Sequence, residues 1–229
     1  MNILICAATP FELKAVFKKL LNEDCAHFPQ KKQFGKAWLH FELTGMGPVL
    51  TAIKMEQLLV QNVFDLALNL GICGTFSEAI LLGTALNITT DEFGDTGIED
   101  HEQFYTLFDC KALPYNAFPY SDDQLINTND NLIGLADSMR IKQASAITVA
   151  MASGSQRTIN LRKKRFSADT ESMEGAAFML VCAMHKVPYL QIRTVSNLVE
   201  PRNKANWDIP MALNNLADTA EKLVLKICS

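Results

Sequence analysis

The chain has 229 residues, of which 48% are hydrophobic and 20% are charged, a composition ordinary for a globular protein with a sizeable core. The formal net charge of −4 excludes a strongly basic surface, so neither nucleic acid nor an anionic membrane is an expected partner. The six cysteines form no Cys-x-x-Cys pair, and the sequence shows no secretory leader and no apolar run of the ~20 residues that span a bilayer. These observations predict a cytoplasmic protein with reduced thiols.

Short apolar segments alternate with helical patterns along the chain, and this alternation predicts an α/β fold with a largely parallel sheet. The predicted strands are 2–8, 37–44, 66–70, 84–90, 146–150 and 189–196. The predicted helices are 10–21, 49–60, 173–185 and a last helix from 208 onward. The first and last helices each begin with a capping residue and an early proline, namely Thr9 with Pro10 and Asp208 with Pro210.

The stretch 91–130 differs from the rest of the chain. It has no clear period and is rich in Asp, Glu, Asn, Pro and aromatic residues. Long irregular stretches in compact domains are usually functional, so we expect a loop, a lid or an arm at an interface.

Three features that can signal chemistry have simpler structural explanations. Gly45 and Gly47 separate a predicted strand from a helix, but the third glycine of a dinucleotide-binding fingerprint is absent, so a tight turn is favoured. Cys73 lies between two glycines at a strand end, where a nucleophile could lie, yet no pairing with histidine is evident and a packed cysteine is favoured. No metal-ligand spacing connects the histidines, so we expect neither metal nor cofactor; they are His27, His40, His101 and His185.

Three polar residues are harder to explain as structure alone. Glu12 lies in the first turn of the first helix, as either a favourable helix-dipole charge or a catalytic group. Glu174 interrupts an almost wholly apolar stretch, which indicates either a desolvated active-site carboxylate or the N-terminal cap of a buried helix. Asn197 ends a predicted central strand, and open α/β sheets bind ligands at the carboxyl ends of their strands.

Five short motifs occur in order along the chain. They are Ala7-x-x-Pro-x-Glu12, Asn69-Leu-Gly-Ile-Cys-Gly74, Ala152-Ser-Gly-Ser155, Ser172-Met-Glu174 and Arg193-x-x-Ser-Asn197. With these motifs the chain resembles the nucleoside phosphorylase and nucleosidase superfamily, above all its methylthioadenosine/S-adenosylhomocysteine nucleosidase branch. The resemblance covers nearly the whole chain and is weakest over 91–135. It implies one domain over 1–229, built on a central, twisted, mixed, mostly parallel sheet flanked by helices, and a homodimer in which the 91–135 arm closes over the neighbour's site.

Within this superfamily the chain is most similar to the futalosine hydrolases, which act in an alternative menaquinone pathway. The similarity lies in Glu171-Ser-Met-Glu-Gly-Ala-Ala177 and in Ser196-Asn-Leu-Val-Glu-Pro-Arg-Asn203 followed by Trp207. Adenine-specific nucleosidases have an aspartate where this chain has Asn197. An asparagine can donate to O6 of a 6-oxopurine and accept the proton that arrives at N7, whereas a carboxylate would place acceptor against acceptor. Asn197 therefore favours hypoxanthine or guanine over adenine.

The resemblance also implies a role for each site residue. Glu12 is the expected general base for the attacking water, while Glu174 binds the ribose hydroxyls and Met173 packs under the sugar. Arg193 is expected to hold the water and orient the carboxylates. The residues expected to border the base are Gly74, Ser153, Gln156 and Arg157. Two positions depart from the family pattern, because Ile72 replaces a usual serine and Arg157 replaces a base-stacking phenylalanine.

The implied activity is that of an N-glycosyl hydrolase acting on a purine nucleoside, with futalosine cleaved to hypoxanthine and dehypoxanthine futalosine. Phosphorylases of this type carry a glycine and an arginine after the first strand, whereas this chain has a carboxylate, Glu12, which would repel phosphate. Other activities remain open: a methylthioadenosine/S-adenosylhomocysteine or aminodeoxyfutalosine nucleosidase, or a purine nucleoside phosphorylase. A non-catalytic nucleoside-binding protein would keep Glu174 without needing Glu12.

Overall fold

A computed structural model describes residues 1–101 and 103–229. Across these residues six α-helices span Pro10–Leu21 (α1), Pro48–Gln61 (α2), Asp130–Ser138 (α3), Gln156–Arg165 (α4), Gly175–His185 (α5) and Ile209–Cys228 (α6). The strands of the same residues are Asn2–Ala7 (β1), Gln30–Phe34 (β2), Ala37–Leu43 (β3), Leu66–Thr75 (β4), Ala85–Phe93 (β5), Gly97–Asp100 (β6), Gln103–Thr106 (β7), Leu125–Ile126 (β8), Lys142–Thr148 (β9), Thr170–Ser172 (β10) and Tyr189–Leu198 (β11). None of the helices described combines the length and apolarity that crossing a membrane requires.

One sheet contains nine of the described strands, in the order β10-β9-β5-β11-β4-β1-β3-β2 with β8 beside β5. The central pairs β3–β1, β1–β4, β4–β11 and β5–β9 are parallel, whereas β5 and β11 are antiparallel. Because β10 pairs with both β9 and β4, the sheet curls back on itself between these strands. The predicted α/β fold with a mixed, mostly parallel sheet flanked by helices is confirmed.

Helices cover both faces of β1, which explains its uninterrupted apolar sequence. Ile3 and Ile5 pack in a core cluster with side chains of α1 and α6. Leu4 and Cys6 point to the opposite face and pack in a second cluster with side chains of α2 and α5. Burying both faces places the carboxyl end of β1 deep in the molecule, directly before the capped start of α1.

Several boundaries differ from the sequence prediction. The third predicted strand, 66–70, extends as β4 to Thr75, through the glycines at 71 and 74. The extension forms because β11 pairs with this segment on one side and β10 on the other. The strand β2 and the helix α4 were not predicted because their sequences are polar, and α3 was not predicted although Leu132 and Leu135 pack against the core.

The stretch 91–130 is not one irregular loop. Its first residues complete β5, which runs to Phe93, and the antiparallel hairpin β6–β7 follows directly. Near its end, β8 returns to pair with β5 at Thr90 and Asp91. The hairpin is exposed along the whole of β6, which leaves this face available for a neighbour.

Candidate active site

A cleft of about 750 Å³ opens at the carboxyl ends of the parallel strands β1, β4 and β11. This is the edge where open α/β sheets bind ligands. The predicted site residues in its wall are Glu12, Gly74, Met173, Glu174 and Asn197. Much of the remaining wall is apolar, with Phe11, Met46, Met151, Ile209 and Leu213. The structure therefore brings residues from five separate sequence motifs to one cavity.

Glu12 projects into the cleft from the first turn of α1. The backbone N–H and the hydroxyl of Thr9 donate to Oε2 at 3.0 and 2.7 Å, and the N–H of Ile72 donates to Oε1 at 3.1 Å. The N–H of Glu12 donates in return to Thr9 Oγ1, which completes a capping box. The carboxylate thus stabilises the helix start, and Oε1 retains a lone pair for a further donor such as water.

Glu174 occupies the N-cap position of α5, yet its carboxylate makes no capping hydrogen bond within the described part of the chain. Its Oε1 instead accepts from the N–H of Gly47, the N-cap of α2, at 3.1 Å. Gly45 and Gly47 have φ values of 82° and 92°, so this is a tight turn that glycine favours. Burial raises the pKa of Glu174, and the charge of Arg193 opposes that rise.

Arg193 is fully buried in β11, behind the carboxylates. Its Nη2 lies 3.8 Å from Oε2 of Glu174, and its guanidinium nitrogens donate no hydrogen bond to the described residues. A Cβ on Gly71 would collide with this guanidinium and would lie 3.0 Å from Oε1 of Glu12, so both groups border Gly71. A buried cation beside two carboxylates lowers the cost of keeping both ionised.

Asn197 and Ser196 end β11 in the wall of the cleft. Asn197 Nδ2 donates to the carbonyl of Leu198 at 2.9 Å, and Oδ1 accepts from Ser196 Oγ at 2.8 Å. The Leu198 carbonyl fixes the orientation of the amide, because a reversed amide would place oxygen against oxygen. Gly74 leaves room for this side chain, since a Cβ there would lie 3.1 Å from Nδ2. One further N–H and one further lone pair of the amide remain for a ligand.

Glu171 also lines the cleft, although its role was not predicted from the sequence. It accepts from the N–H and the hydroxyl of Ser153 at 2.7 and 2.6 Å, and from Arg162 Nη1 at 2.9 Å. Ser153 itself borders an adjoining recess of about 80 Å³. Arg162 Nη2 lies 3.3 Å from Asp95, which ties the wall to the loop after β5. Its sequence neighbours Asp169, Thr170 and Ser172 are polar, so no apolar stretch marks this carboxylate as buried.

Gln156 and Arg157 lie outside the cleft. Both occupy the exposed first turn of α4, where Gln156 Nε2 donates to Asn160 Oδ1 at 2.8 Å. Arg157 Nη2 lies 3.6 Å from Glu99 of the β6–β7 hairpin. The structure therefore does not bring these two residues together with Glu12, and within this chain they have other partners.

Cys73 lies in the same wall but is packed rather than reactive. Its side chain is buried against Ile88 and Val195 in a small apolar cluster. Burial raises the pKa of its thiol to about 12, so the thiolate is scarce at neutral pH. The interpretation as a packed cysteine agrees with this geometry.

Asp91, in β5, is a buried carboxyl beneath the start of α5. Thr148 Oγ1 donates to its Oδ1 at 2.9 Å and Gln191 Nε2 donates to its Oδ2 at 3.0 Å. Thr148 Oγ1 also accepts from the N–H of Ala176 at 2.7 Å, which connects Asp91 to the helix that begins beside Glu174. Burial raises the pKa of Asp91 to about 7, against hydrogen bonds from Gln191 and Thr148 that lower it.

We expect Asp91→Asn to flatten the dependence of folding stability on pH. An unfolded aspartate titrates near 3.8, so between about pH 4 and pH 7 the native chain binds the proton and the unfolded chain does not. In that window the free energy of unfolding falls with rising pH by up to about 1.4 kcal/mol per pH unit. The oxygen of the introduced amide can accept from Thr148. Its nitrogen can donate to Gln191 Oε1 after the Gln191 amide turns over, because Gln191 Nε2 now faces the carboxyl and Oε1 has no partner among the described residues.

Urea unfolding at a series of pH values measures this slope. Asp137→Asn, at an exposed position on α3, is the control and should leave the slope as it is in the wild type. A slope that is equally steep in Asp91→Asn would contradict the prediction.

The sequence profile of the phosphorylase superfamily matches residues 2–229. The futalosine hydrolase of Thermus thermophilus is 27% identical over 220 residues, which cover 94% of this chain and 93% of that protein. The 5'-methylthioadenosine/S-adenosylhomocysteine nucleosidase of Bacillus subtilis is 25% identical over 188 residues, 80% of this chain and 78% of that protein. The native structure of futalosine hydrolase from Helicobacter pylori has the same fold, with a TM-score of 0.74 at 16% identity over 99% of this chain and 97% of that one.

Proposed function

The chain belongs to the phosphorylase superfamily, and from this membership we propose that it hydrolyses the N-glycosidic bond of a purine nucleoside. The observation that carries the proposal is the placement of Glu12, Glu174 and Asn197 in one cleft at the carboxyl ends of β1 and β11. Each of these residues has hydrogen-bonding capacity that the described protein groups do not use up.

The reaction breaks the bond between C1' of the ribose and N9 of the base. The electron pair leaves with the base, and the ribose develops positive charge. Glu174 holds the ribose hydroxyls above Met173 and stabilises that charge. Glu12 takes a proton from the water whose oxygen bonds to C1', and the departing base takes up a proton at N7 from solvent. Glu12 then returns its proton to solvent, so that one water is consumed overall. Asn197 accepts a hydrogen bond from the protonated N7 and donates to O6.

Water, and not phosphate, is the proposed nucleophile. Three carboxylates line the described cleft, from Glu12, Glu171 and Glu174, and a phosphate dianion near them would be repelled. We therefore expect full-rate release of purine in phosphate-free buffer, with a free reducing sugar as the second product. Base release is followed by ultraviolet absorbance and the sugar by a reducing-end assay. Formation of a sugar 1-phosphate on adding phosphate would contradict this expectation.

Futalosine is the proposed substrate, with hypoxanthine and dehypoxanthine futalosine as products in menaquinone biosynthesis. The amide of Asn197 suits a 6-oxopurine, and the relative from Thermus thermophilus is named a futalosine hydrolase. The test is to compare kcat/KM for futalosine, aminodeoxyfutalosine, methylthioadenosine and inosine. A preference for methylthioadenosine would assign the chain to the nucleosidase activity named for the Bacillus subtilis relative.

A cytoplasmic homodimer is the proposed assembly. The helix α2 exposes apolar side chains at Val49, Leu50, Ile53 and Val60, which a dimer interface would bury. None of the described residues of 91–135 lines this chain's own cleft, which leaves that arm free to reach a neighbour's. The six cysteines are free thiols, as suits a reducing compartment. Sedimentation equilibrium tests the dimer.

A further inference from the structure

Arg202 is a guanidinium in a cleft wall that is otherwise acidic or uncharged. The ionisable carboxylates of the described wall are Glu12, Glu171 and Glu174, and Arg202 supplies the positive charge. The hydrolysis proposed above uses Glu12, Glu174 and Asn197 and gives Arg202 no task. Arg202 is exposed to solvent at the cleft mouth, where an entering ligand can reach it.

The segment 200–207, which we term the strap, holds Arg202 in place. The N–H of Arg202 donates to the carbonyl of Gly154 at 3.3 Å, and the N–H of Asp208, which follows the strap, donates to the carbonyl of Ser196 at 2.9 Å. Between these two ties, the short 3₁₀ turn Lys204–Asn206 is capped by the side chain of Asn203. The strap is thus fixed to two sides of the cleft mouth.

Trp207 orients the guanidinium. The Cζ atom of Arg202 lies 5.2 Å from the centre of the indole ring, within the range of a cation–π contact. A guanidinium is planar and presents its N–H groups as a fork that matches the two oxygens of a carboxylate. Both residues line the cleft, so the fork is available to a ligand in it.

No carboxylate of the described residues lies within 4.0 Å of Arg202. Glu200, two residues earlier in the strap, already accepts from Asn206 Nδ2 at 2.6 Å. The positive charge at the cleft mouth thus has no protein counter-charge among these residues, and an anionic ligand would supply one.

We propose that Arg202, stacked on Trp207, binds an anionic group that the nucleoside carries beyond its ribose. This inference rests on the proposed function and assigns Arg202 as the residue that recognises an acidic tail on its substrate. A carboxylate and a phosphate ester share the required chemistry. A phosphate attached directly to the ribose would lie nearer Glu174, so a carboxylate on a longer tail is favoured.

The test compares a charged tail with a neutral one. Futalosine has a benzoate carboxylate on its tail, and its methyl ester is neutral there. The ratio of kcat/KM for futalosine to that for the ester should fall about tenfold in Arg202→Gln, because the glutamine amide has no charge to offer the futalosine carboxylate. In the wild type, KM for futalosine should rise with ionic strength, and this salt dependence should weaken in the variant. An equal effect on acid and ester would overturn the proposal, since it would mean a structural role alone.

Two further variants sharpen the result. Arg202→Lys keeps the charge without the planar fork and should restore part of the ratio. Lys204→Gln removes an exposed cation from the same strap but outside the cleft wall, and the ratio should stay at the wild-type value. An equal fall of this ratio in Lys204→Gln would indicate a general electrostatic effect and would overturn the assignment of the anion site to Arg202.

Inosine and inosine 5'-phosphate separate the remaining outcomes. Arg202 could raise kcat/KM for inosine 5'-phosphate over inosine without raising it for futalosine over its ester. That result would retain the anion site but assign it to a phosphate. Turnover of inosine with no Arg202-dependent gain for either anion would overturn the inference and leave the proposed function intact. Absence of base release from every nucleoside would overturn the proposed function, and the inference with it.

Discussion

Replacing Glu12 with glutamine should lower kcat by roughly 10²-fold or more, because an amide cannot accept the proton of the attacking water. The substitution hardly changes volume, and the amide oxygen can still accept from Thr9 or from Ile72. The capping box is weakened, with an expected cost of about 1 kcal/mol in stability. Single-turnover base release measures the rate, and thermal unfolding shows that the variant is folded at the assay temperature.

Glu174→Gln is the matched comparison, since it removes one carboxylate from the same buried group and leaves the proposed base. Because Glu174 is proposed to hold the ribose, its variant should raise KM as well as lower kcat. Glu12→Gln should act mainly on kcat. Near-normal turnover in Glu12→Gln would contradict the assignment of Glu12 as the base. In that case Glu12→Asp, which has a shorter side chain, should also turn over at a near-normal rate.

The elements that support the cleft could be predicted because local sequence and tertiary environment agree there. The strand β1 is buried on both faces and therefore has an apolar sequence, and β11 has apolar residues at Leu190, Ile192 and Val195. Thr9 and Asp208 cap α1 and α6 as predicted, with Pro10 and Pro210 in the first turns. The rule that strand ends meet at one edge of the sheet then brings Asn197 close to the start of α1.

The remaining elements depend on interactions that one sequence does not reveal. The glycines at 71 and 74 resemble a turn, but the space they leave is filled by Arg193 and by Asn197, so the backbone continues as a strand. The helix α4 buries only Ile159 and Arg162, too few positions to show a period.

The site shows the same division between local and distant determinants. Gln156 and Arg157 were expected beside the base, but Ser155 caps α4 immediately before them and places both in its exposed first turn. The position of Arg202 at the cleft depends on a backbone hydrogen bond to Gly154, which lies 48 residues earlier in the sequence. A motif match orders such residues along the chain but does not report which of them face the cavity.

We expect Asn197→Asp to shift the preference of the enzyme from 6-oxopurine toward 6-aminopurine nucleosides. The wild type should cleave futalosine with higher kcat/KM than aminodeoxyfutalosine, by roughly 10- to 100-fold, because a mismatched base leaves buried groups without partners. The introduced acid can protonate N7 and accept from the exocyclic amine, so the ratio of the two kcat/KM values should fall toward or below one. Steady-state kinetics with both substrates and both proteins measures the ratio.

The surroundings of Asn197 give this prediction a second readout, its dependence on pH. The Nδ2 atom now donates to the Leu198 carbonyl at 2.9 Å, and a carboxylate oxygen at that position would face the carbonyl oxygen instead. That repulsion favours the protonated acid and raises its pKa. Since the protonated form is the one that can donate to N7, activity of the variant on 6-amino substrates should be highest below that pKa and fall as pH rises through it.

The wild type should not show this fall in activity with rising pH, because a neutral amide does not titrate. Asn197→Ala is the control: it removes both the donor and the acceptor, so it should lose the discrimination between the two bases without gaining this dependence on pH. If the wild type already cleaves aminodeoxyfutalosine or methylthioadenosine better than futalosine, the amide does not select the 6-oxo group. Its orientation by Ser196 and Leu198 would then serve to hold an adenine instead.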